Sequence, residues 1–75
     1  MIYPNPSSGK FNVDFGAIYN EVGIQIHDMA GKLVYQEKYS GKQIIAIDLN
    51  VATGIYEIEF TVDQDKTKVL KIAID

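Results

Sequence analysis

The sequence of 75 residues contains no cysteine, no arginine and no tryptophan, and it has only one histidine. The lack of cysteine excludes a disulfide framework and thiolate chemistry, so the fold must rely on its core alone. The lack of arginine, together with a net charge of −3, argues against nucleic-acid binding, which uses clustered cations with bidentate geometry. We predict that the chain binds no cofactor and no metal.

Long apolar runs are also missing. No stretch approaches the roughly 20 residues that a membrane helix requires, and the chain does not open with a charged segment, an apolar run and a small-residue cleavage site. If the chain is part of an exported protein, we expect the signal peptide of that protein to lie elsewhere. A chain of this length forms one domain at most and buries about 60% of the surface that it exposes when unfolded. It has room for one small core.

Proline occurs only twice, and both residues lie in the opening segment, as Pro4 and Pro6. Each fixes φ and lacks a backbone donor. Asn5 is driven toward extended geometry by the proline that follows it, and residues 7–9 favour a turn. We predict that residues 1–9 form a stiff, extended lead-in from a preceding part of a larger protein, and that residues 10–75 form the folded domain.

The rest of the chain alternates apolar and polar residues with the period of two that is typical of half-buried β-strands. Strands are predicted over residues 11–15, 22–27, 33–39, 44–49, 56–62 and 67–74, and turns over 28–32, 40–42, 50–54 and 63–66. We expect Gly16 to end the first strand. Because Ile44 and Ala46 lie opposite the apolar face of the fourth strand, we expect that strand to be covered on both sides.

Six or seven short strands, with no credible helix, predict an all-β, immunoglobulin-like antiparallel β-sandwich of about seven strands. A small barrel is the less favoured alternative. The last strand is apolar and has few edge-protecting residues. It could therefore dock by adding to the sheet of a partner, or it could self-associate.

Two groups of polar residues invite a catalytic or metal-binding interpretation. His27 precedes Asp28, but no suitable nucleophile accompanies this pair. Asp63 and Asp65 supply two carboxylates, whereas a calcium loop needs five or more ligands. A surface histidine and a hairpin turn are the favoured interpretations, and we predict that the chain is not an enzyme.

Two further groups could contact sugars. Glu57 and Glu59 share one face of a strand, like the paired carboxylates of a glycosidase, but that face is opposite the apolar one and we expect both to be solvated. Tyr3, Tyr19 and Tyr39 are aromatic residues without an obvious place in the core. Three scattered candidates support a carbohydrate-binding surface only weakly.

Four motifs follow one another along the chain. Tyr-Pro-Asn-Pro occupies residues 3–6, and a small-residue turn with Gly9 follows it. A strand with an Asp-x-x-Gly-Lys hairpin lies within 22–34, a Gly-x-Tyr segment within 47–58, and a Lys-x-x-Lys segment within 67–71. In order and spacing these motifs resemble the C-terminal sorting domains of the type IX secretion system of Bacteroidota, also called Por secretion system C-terminal domains, type A.

The resemblance implies an immunoglobulin-like domain that ends a secreted cargo protein and directs it across the outer membrane through the type IX system. The implied partners are the upstream cargo domain of the same chain, the outer-membrane secretion machinery, and a sortase-like peptidase that usually cuts just before the domain. The implied route leads through the periplasm to the cell surface or the extracellular space. The sorting-motif candidates are Pro4, Asn5, Pro6, Gly31, Gly54, Tyr56, Lys68 and Lys71.

The candidate residues also have individual physical interpretations. Gly31 and Gly54 suit backbone conformations that a side chain would oppose. Tyr56 can bury its ring while its hydroxyl finds a partner at the rim. Lys68 and Lys71, three apart on a strand, are expected on opposite faces. A second functional hypothesis remains open at this point, namely an immunoglobulin-like cell-surface module for adhesion or for binding carbohydrate or protein.

Overall fold

The computed structural model describes residues 1–63 and 66–75, and for Lys66 the backbone only. The described residues form seven strands: β1 (Ile2–Tyr3), β2 (Lys10–Tyr19), β3 (Val22–Asp28), β4 (Leu33–Tyr39), β5 (Lys42–Asp48), β6 (Gly54–Val62) and β7 (Lys66–Ile74). Sheet A has the order β1-β2-β5 and sheet B the order β4-β3-β6-β7. All strand pairs are antiparallel. The predicted two-sheet antiparallel sandwich is thereby confirmed.

The core lies between the two sheets and is built from every second residue of the strands. Ile24 and Ile26 on β3 and Ile58 on β6 have no exposed surface, and fully burying such a side chain contributes about 1.5–3 kcal/mol. Phe15 of sheet A meets Phe60 of sheet B edge to face, with ring centroids 5.5 Å apart. The buried apolar residues are Phe11, Val13, Val22, Ile24, Ile26, Ile45, Ile47, Leu49, Tyr56, Ile58, Phe60, Ile72 and Ile74.

Most strand boundaries agree with the sequence pattern, but β2 is longer than predicted. Gly16 was expected to end this strand, and that expectation is wrong. Gly16 instead adopts a φ of +80° within β2, and its N–H donates to Asp14 Oδ1 at 2.8 Å. The pairing of β2 with β5 changes register between Asp14 and Tyr19, so the glycine forms an irregularity that the strand passes through.

The expectation that β5 is covered on both sides is also wrong. Ile45 and Ile47 are buried, whereas Ile44 is 47% exposed and Ala46 is exposed as well. The reason is that the domain has only two sheets, so each strand has the core on one face and solvent on the other. The predicted turn over 63–66 falls partly on residues 64–65, which lie outside the described residues.

The hairpin between β3 and β4 is closed by the side chain of Asp28. Its Oδ1 accepts hydrogen bonds from the N–H groups of Ala30 at 3.0 Å and Lys32 at 2.9 Å. Gly31 has a φ of +89°, the left-handed region that glycine adopts without steric cost. The Asp28 carboxylate is thus engaged in a turn, which is the structural role expected from the sequence.

Two tyrosines of the edge strand β4 pack against the core. The hydroxyl groups of Tyr35 and Tyr39 share a hydrogen bond, and both rings pack against the buried cluster. Partial burial, followed by this hydrogen bond, raises the pKa of the Tyr39 hydroxyl well above its ordinary value of 10.0. The folded state therefore holds this proton more tightly than the unfolded state does.

This difference predicts an alkaline loss of stability. Below pH 10 the Tyr39 hydroxyl is protonated in both states. As the pH rises through 10, the unfolded chain releases the proton while the folded chain keeps it, so the free energy of unfolding should fall. Urea unfolding between pH 8 and pH 11 should show a flatter alkaline decline in Tyr39→Phe than in the unmodified chain. Equal slopes would contradict the assignment.

Candidate recognition site

The opening segment is fastened to the outer edge of β7. Asn5 Nδ2 donates to the carbonyl oxygen of Lys71 at 3.2 Å, and Asn5 Oδ1 accepts from the N–H of Ala73 at 3.1 Å. The side-chain amide thus makes the bonds that the peptide group of a neighbouring strand would make. Ser7 continues the pairing through its backbone, with its N–H donating to Ala73 and its carbonyl accepting from Asp75. We call this contact of residues 5–7 with residues 71–75 the clasp.

The opening segment crosses from sheet A to sheet B between Tyr3 and Asn5. Tyr3 belongs to β1 in sheet A, where it pairs with Asn12 of β2, whereas Asn5 already lies on sheet B. Pro4 and Pro6 are exposed, flank Asn5, and have cis peptide bonds before them. The lead-in is therefore held against the sandwich by both sheets, and it does not extend away from it. That residues 1–9 follow an upstream cargo domain stays a prediction.

Ser7 and Gly9 anchor the inner side of the clasp. Ser7 is only 2% exposed; its Oγ donates to the Lys10 carbonyl at 2.9 Å and accepts from the Gly9 N–H at 3.0 Å. Gly9 has a φ of +112°, and a Cβ built on it would lie 2.5 Å from the carbonyl oxygen of Leu49. The sequence identified both residues only as turn formers, and the close approach to Leu49 is a role that it did not predict.

Gly54 and Tyr56 lie at the start of β6, opposite the end of β7. Tyr56 is 6% exposed, and its hydroxyl donates to the carbonyl oxygen of Ala52 at 2.6 Å, so ring and hydroxyl are placed as expected. Gly54 was expected to adopt a backbone conformation that a side chain would oppose, and that expectation is wrong. Its φ is not in the left-handed region, and an added Cβ would make ordinary contact with the Tyr56 ring at 3.9 Å.

Strand register brings most of the sorting-motif candidates to one end of sheet B. Asp28, where the Gly31 hairpin begins, pairs with Tyr56, and Tyr56 pairs with Ile72. Gly54 pairs with Ile74, beside the clasp that holds Asn5. Lys68 is the exception, since it lies four residues before Ile72, about 13 Å along the strand. It pairs with the core residue Phe60, whereas Lys71 pairs with Glu57, so the two lysines point to opposite faces as predicted.

A comparison with protein families identifies the family of this chain. A family model described as the secretion system C-terminal sorting domain matches residues 1–75, the whole chain. The chain belongs to this family. The type IX resemblance inferred from the four motifs is thereby confirmed, and the domain is a sorting signal of an exported protein. Membership implies contact with the secretion machinery and export to the cell surface or the extracellular space.

Solved structures support the fold of the sorting domain independently. A DUF3244 family protein from Bacteroides vulgatus ATCC 8482, described as having an immunoglobulin-like β-sandwich fold, superposes with a TM-score of 0.84. The identity is 18%, and the match covers 99% of this chain and 81% of the other. The predicted immunoglobulin-like architecture is therefore confirmed, and at this identity the likeness concerns the fold alone. No curated protein sequence matches the chain.

Among the described residues, which do not include Asp65, the remaining polar candidates of the sorting domain do not form a cluster. His27 is half-buried and pairs in register with Glu57 and Leu33, while Glu59 pairs with Gln25. In the part of the chain that the structure describes, no three histidine, cysteine or acidic side chains are grouped as metal ligands. The described residues also contain no helix long and apolar enough to cross a membrane.

The three uncertain tyrosines of the sorting domain do not line up either. Tyr3 lies on β1 and Tyr19 at the far end of β2 in sheet A, whereas Tyr39 lies on β4 in sheet B. All three are half-buried. A sugar-binding surface needs exposed rings side by side, so this arrangement gives the carbohydrate hypothesis no specific support.

The clasp should contribute measurably to the stability of the sorting domain. Asn5→Ala removes both side-chain hydrogen bonds, and Asn5→Asp removes the donor while it places a negative charge beside the Lys71 carbonyl. We expect each change to lower the free energy of unfolding by about 1–2 kcal/mol. Hydrogen exchange should localise the effect, with faster exchange at the Ala73 N–H. Asn50→Asp, at an exposed loop position, is the matched control, and an equal effect there would contradict the assignment.

Proposed function

We propose that these 75 residues act at the C-terminus of a larger cargo protein, as the folded signal by which the outer-membrane machinery of the type IX system selects that cargo. The domain is a substrate of export and not an enzyme. The parent carries its own signal peptide for the inner membrane, and the machinery delivers the cargo to the cell surface or the medium. The observation that supports this proposal is the family match over the whole chain.

The surface that the machinery reads, on this proposal, is the end of sheet B. Gly54, the Gly31 hairpin and Asn5 meet there through register and through the clasp, whereas Tyr56 is buried at this end and supports the surface from within. None of them is close in sequence to all the others, so only the folded domain presents them together. The signal is then a surface of the sandwich, and not a linear peptide.

A position test separates this function from that of an adhesive module. A reporter protein with an inner-membrane signal peptide is fused to the domain either before or after its own sequence. We expect export across the outer membrane only when the domain ends the chain. An adhesive or sugar-binding module would drive export from neither position. Equal amounts of the two fusions outside the cell, or export of neither, would contradict the proposal.

Cleavage by the sortase-like peptidase should fall before Tyr3. Proteolysis favours segments whose backbone is exposed and free of hydrogen bonds. Ile2 and Tyr3 pair in β1, Ser7 pairs through its backbone, and Asn5 is held between them by its side chain. Mass spectrometry of the domain recovered after export of a fusion that retains the preceding linker should give an N-terminus at or before Tyr3. An N-terminus between Pro6 and Lys10 would contradict the assignment.

A further inference from the structure

The clasp covers only half of the free edge of β7. In an antiparallel ladder, every second residue directs its N–H and C=O groups away from the paired strand. Ala73 directs both groups outward, to Asn5 and Ser7, and the register with β6 is continuous along the whole strand. Val69 and Thr67 therefore also direct their backbone groups outward, and no described residue pairs with them there.

An apolar groove adjoins this open half of the edge. It has a volume of about 510 Å³ and lies between β2 of sheet A and the β6–β7 side of sheet B. Its apolar walls include Phe15, Val62 and Leu70, and its rim carries Asp14 and Lys68. Met1, which precedes the two-residue strand β1, also lines the groove. An eighth strand added to β7 would place alternate side chains over it.

The charges of β7 indicate what such a strand must contain. The chain has a net charge of −3, yet residues 66–74 contain three lysines and no acidic residue. Lys68 is exposed and pairs with the apolar Phe60, so no carboxylate lies opposite it in the sheet. Pairing with a second copy would bring Lys68 and Lys71 of one β7 near those of the other, which charge repulsion disfavours.

We propose that residues 67–71 form a docking edge for an extended segment of the secretion machinery, in which two apolar residues are flanked by acidic ones. The acidic residues lie opposite Lys68 and Lys71, and the apolar residues lie opposite Val69 and Leu70, with one of them over the groove. The inference rests on the proposed function, because it adds a second contact, along the edge of β7, to the end of sheet B through which the machinery reads the sorting signal. Backbone pairing supplies affinity, and the charges and the groove supply selectivity.

Val69→Pro tests the docking edge directly. The N–H that it removes points away from β6, so the intramolecular ladder keeps its hydrogen bonds, and proline is tolerated in this position of an edge strand. The variant loses a backbone hydrogen bond to the partner, and the proline ring also obstructs the edge. We expect export of a C-terminal reporter fusion to slow by about tenfold, which corresponds to the free energy of one or two hydrogen bonds. Val69→Thr keeps the N–H and the β-branched shape, and should export normally.

Lys68→Glu is the second variant. It tests the docking edge without placing a proline in β7. We expect slower export for Lys68→Glu, normal export for Lys68→Arg, and normal export for Lys42→Glu, which makes the same charge change on the exposed edge of sheet A. Thermal melting of each purified variant shows whether the fold is retained. Normal export of folded Val69→Pro and Lys68→Glu would overturn the docking edge and leave the sorting function intact.

Two further outcomes are distinguishable. If the unmodified domain does not export the reporter at all, the proposed function fails, and the docking edge fails with it. If the purified domain is a dimer that Val69→Pro converts to a monomer while export stays normal, the occupant of the edge is a second copy and the proposal is wrong.

Discussion

Gly9→Ala should destabilise the domain strongly, although it adds only one methyl group. The backbone at Gly9 has a φ of +112°, and the new Cβ would lie 2.5 Å from the Leu49 carbonyl oxygen. The conformational strain costs about 1–3 kcal/mol, and the forced displacement of backbone in a packed region adds about 1–3 kcal/mol. Single domains have about 5–15 kcal/mol of stability in total. Thermal and urea unfolding should show a much lower midpoint.

Other glycines provide a graded control for this prediction. Gly31 has a positive φ of +89° but no atom within 4 Å of an added Cβ, so Gly31→Ala should cost about 1–2 kcal/mol. Gly54 has neither a positive φ nor a close contact, and Gly54→Ala should be nearly neutral. A cost for Gly9→Ala no larger than that of Gly31→Ala would show that the approach to Leu49 is not a constraint.

Ile72→Ala should have the second largest effect, by opening a cavity beneath β7. Ile72 is 1% exposed and pairs with Tyr56. Truncation of a buried isoleucine to alanine costs about 2–5 kcal/mol. We expect both the stability of the domain and the export of a fused reporter to fall, because the proposed signal is a folded surface.

The matched control lies three residues away on the same strand. Val69 is 50% exposed on the opposite face, so Val69→Ala should change the free energy of unfolding by less than about 1 kcal/mol. Urea unfolding of both variants measures the contrast. Similar losses in the two would mean that β7 does not bury the face that its register assigns to the core.

The strands were predictable because their faces differ in polarity. The alternation of Val22, Ile24 and Ile26 with Gly23 and Gln25 predicts that the three apolar side chains are buried. The structure confirms this for all three. The hairpin at Asp28 was equally predictable, because an aspartate followed three residues later by a glycine, Gly31, favours a local turn. In each case the information lies within a few residues of sequence.

The clasp could not be predicted in the same way, because its partners lie far apart in the chain. The sequence shows that Asn5 before Pro6 is extended, but not that its amide faces the backbone of Lys71 and Ala73. Gly9 is readable as a turn glycine, whereas the carbonyl that excludes a side chain there belongs to Leu49. Such contacts depend on which strand is placed at an edge, and alternation does not fix strand order.

The failed expectations have the same origin. Ile44 is apolar, and alternation alone suggested that something covers it. Its exposure follows from the two-sheet architecture, which leaves the outer face of sheet A uncovered. Gly54 was interpreted through backbone freedom, yet its backbone is ordinary. If the Gly-x-Tyr segment contributes to sorting, Gly54 does so through its place opposite Ile74 and not through an unusual φ.

The most direct test of the central claim is the export of a reporter that carries an N-terminal signal peptide and these 75 residues at its C-terminus. The fusion is expressed in a host with a working type IX system and in the same host without its outer-membrane translocation machinery, with the Gly9→Ala fusion as the destabilised control. We expect the reporter at the cell surface or in the medium only when the machinery and the folded domain are both present. Retention of the unmodified fusion in the periplasm of the working host, or equal export without the machinery, would contradict the account.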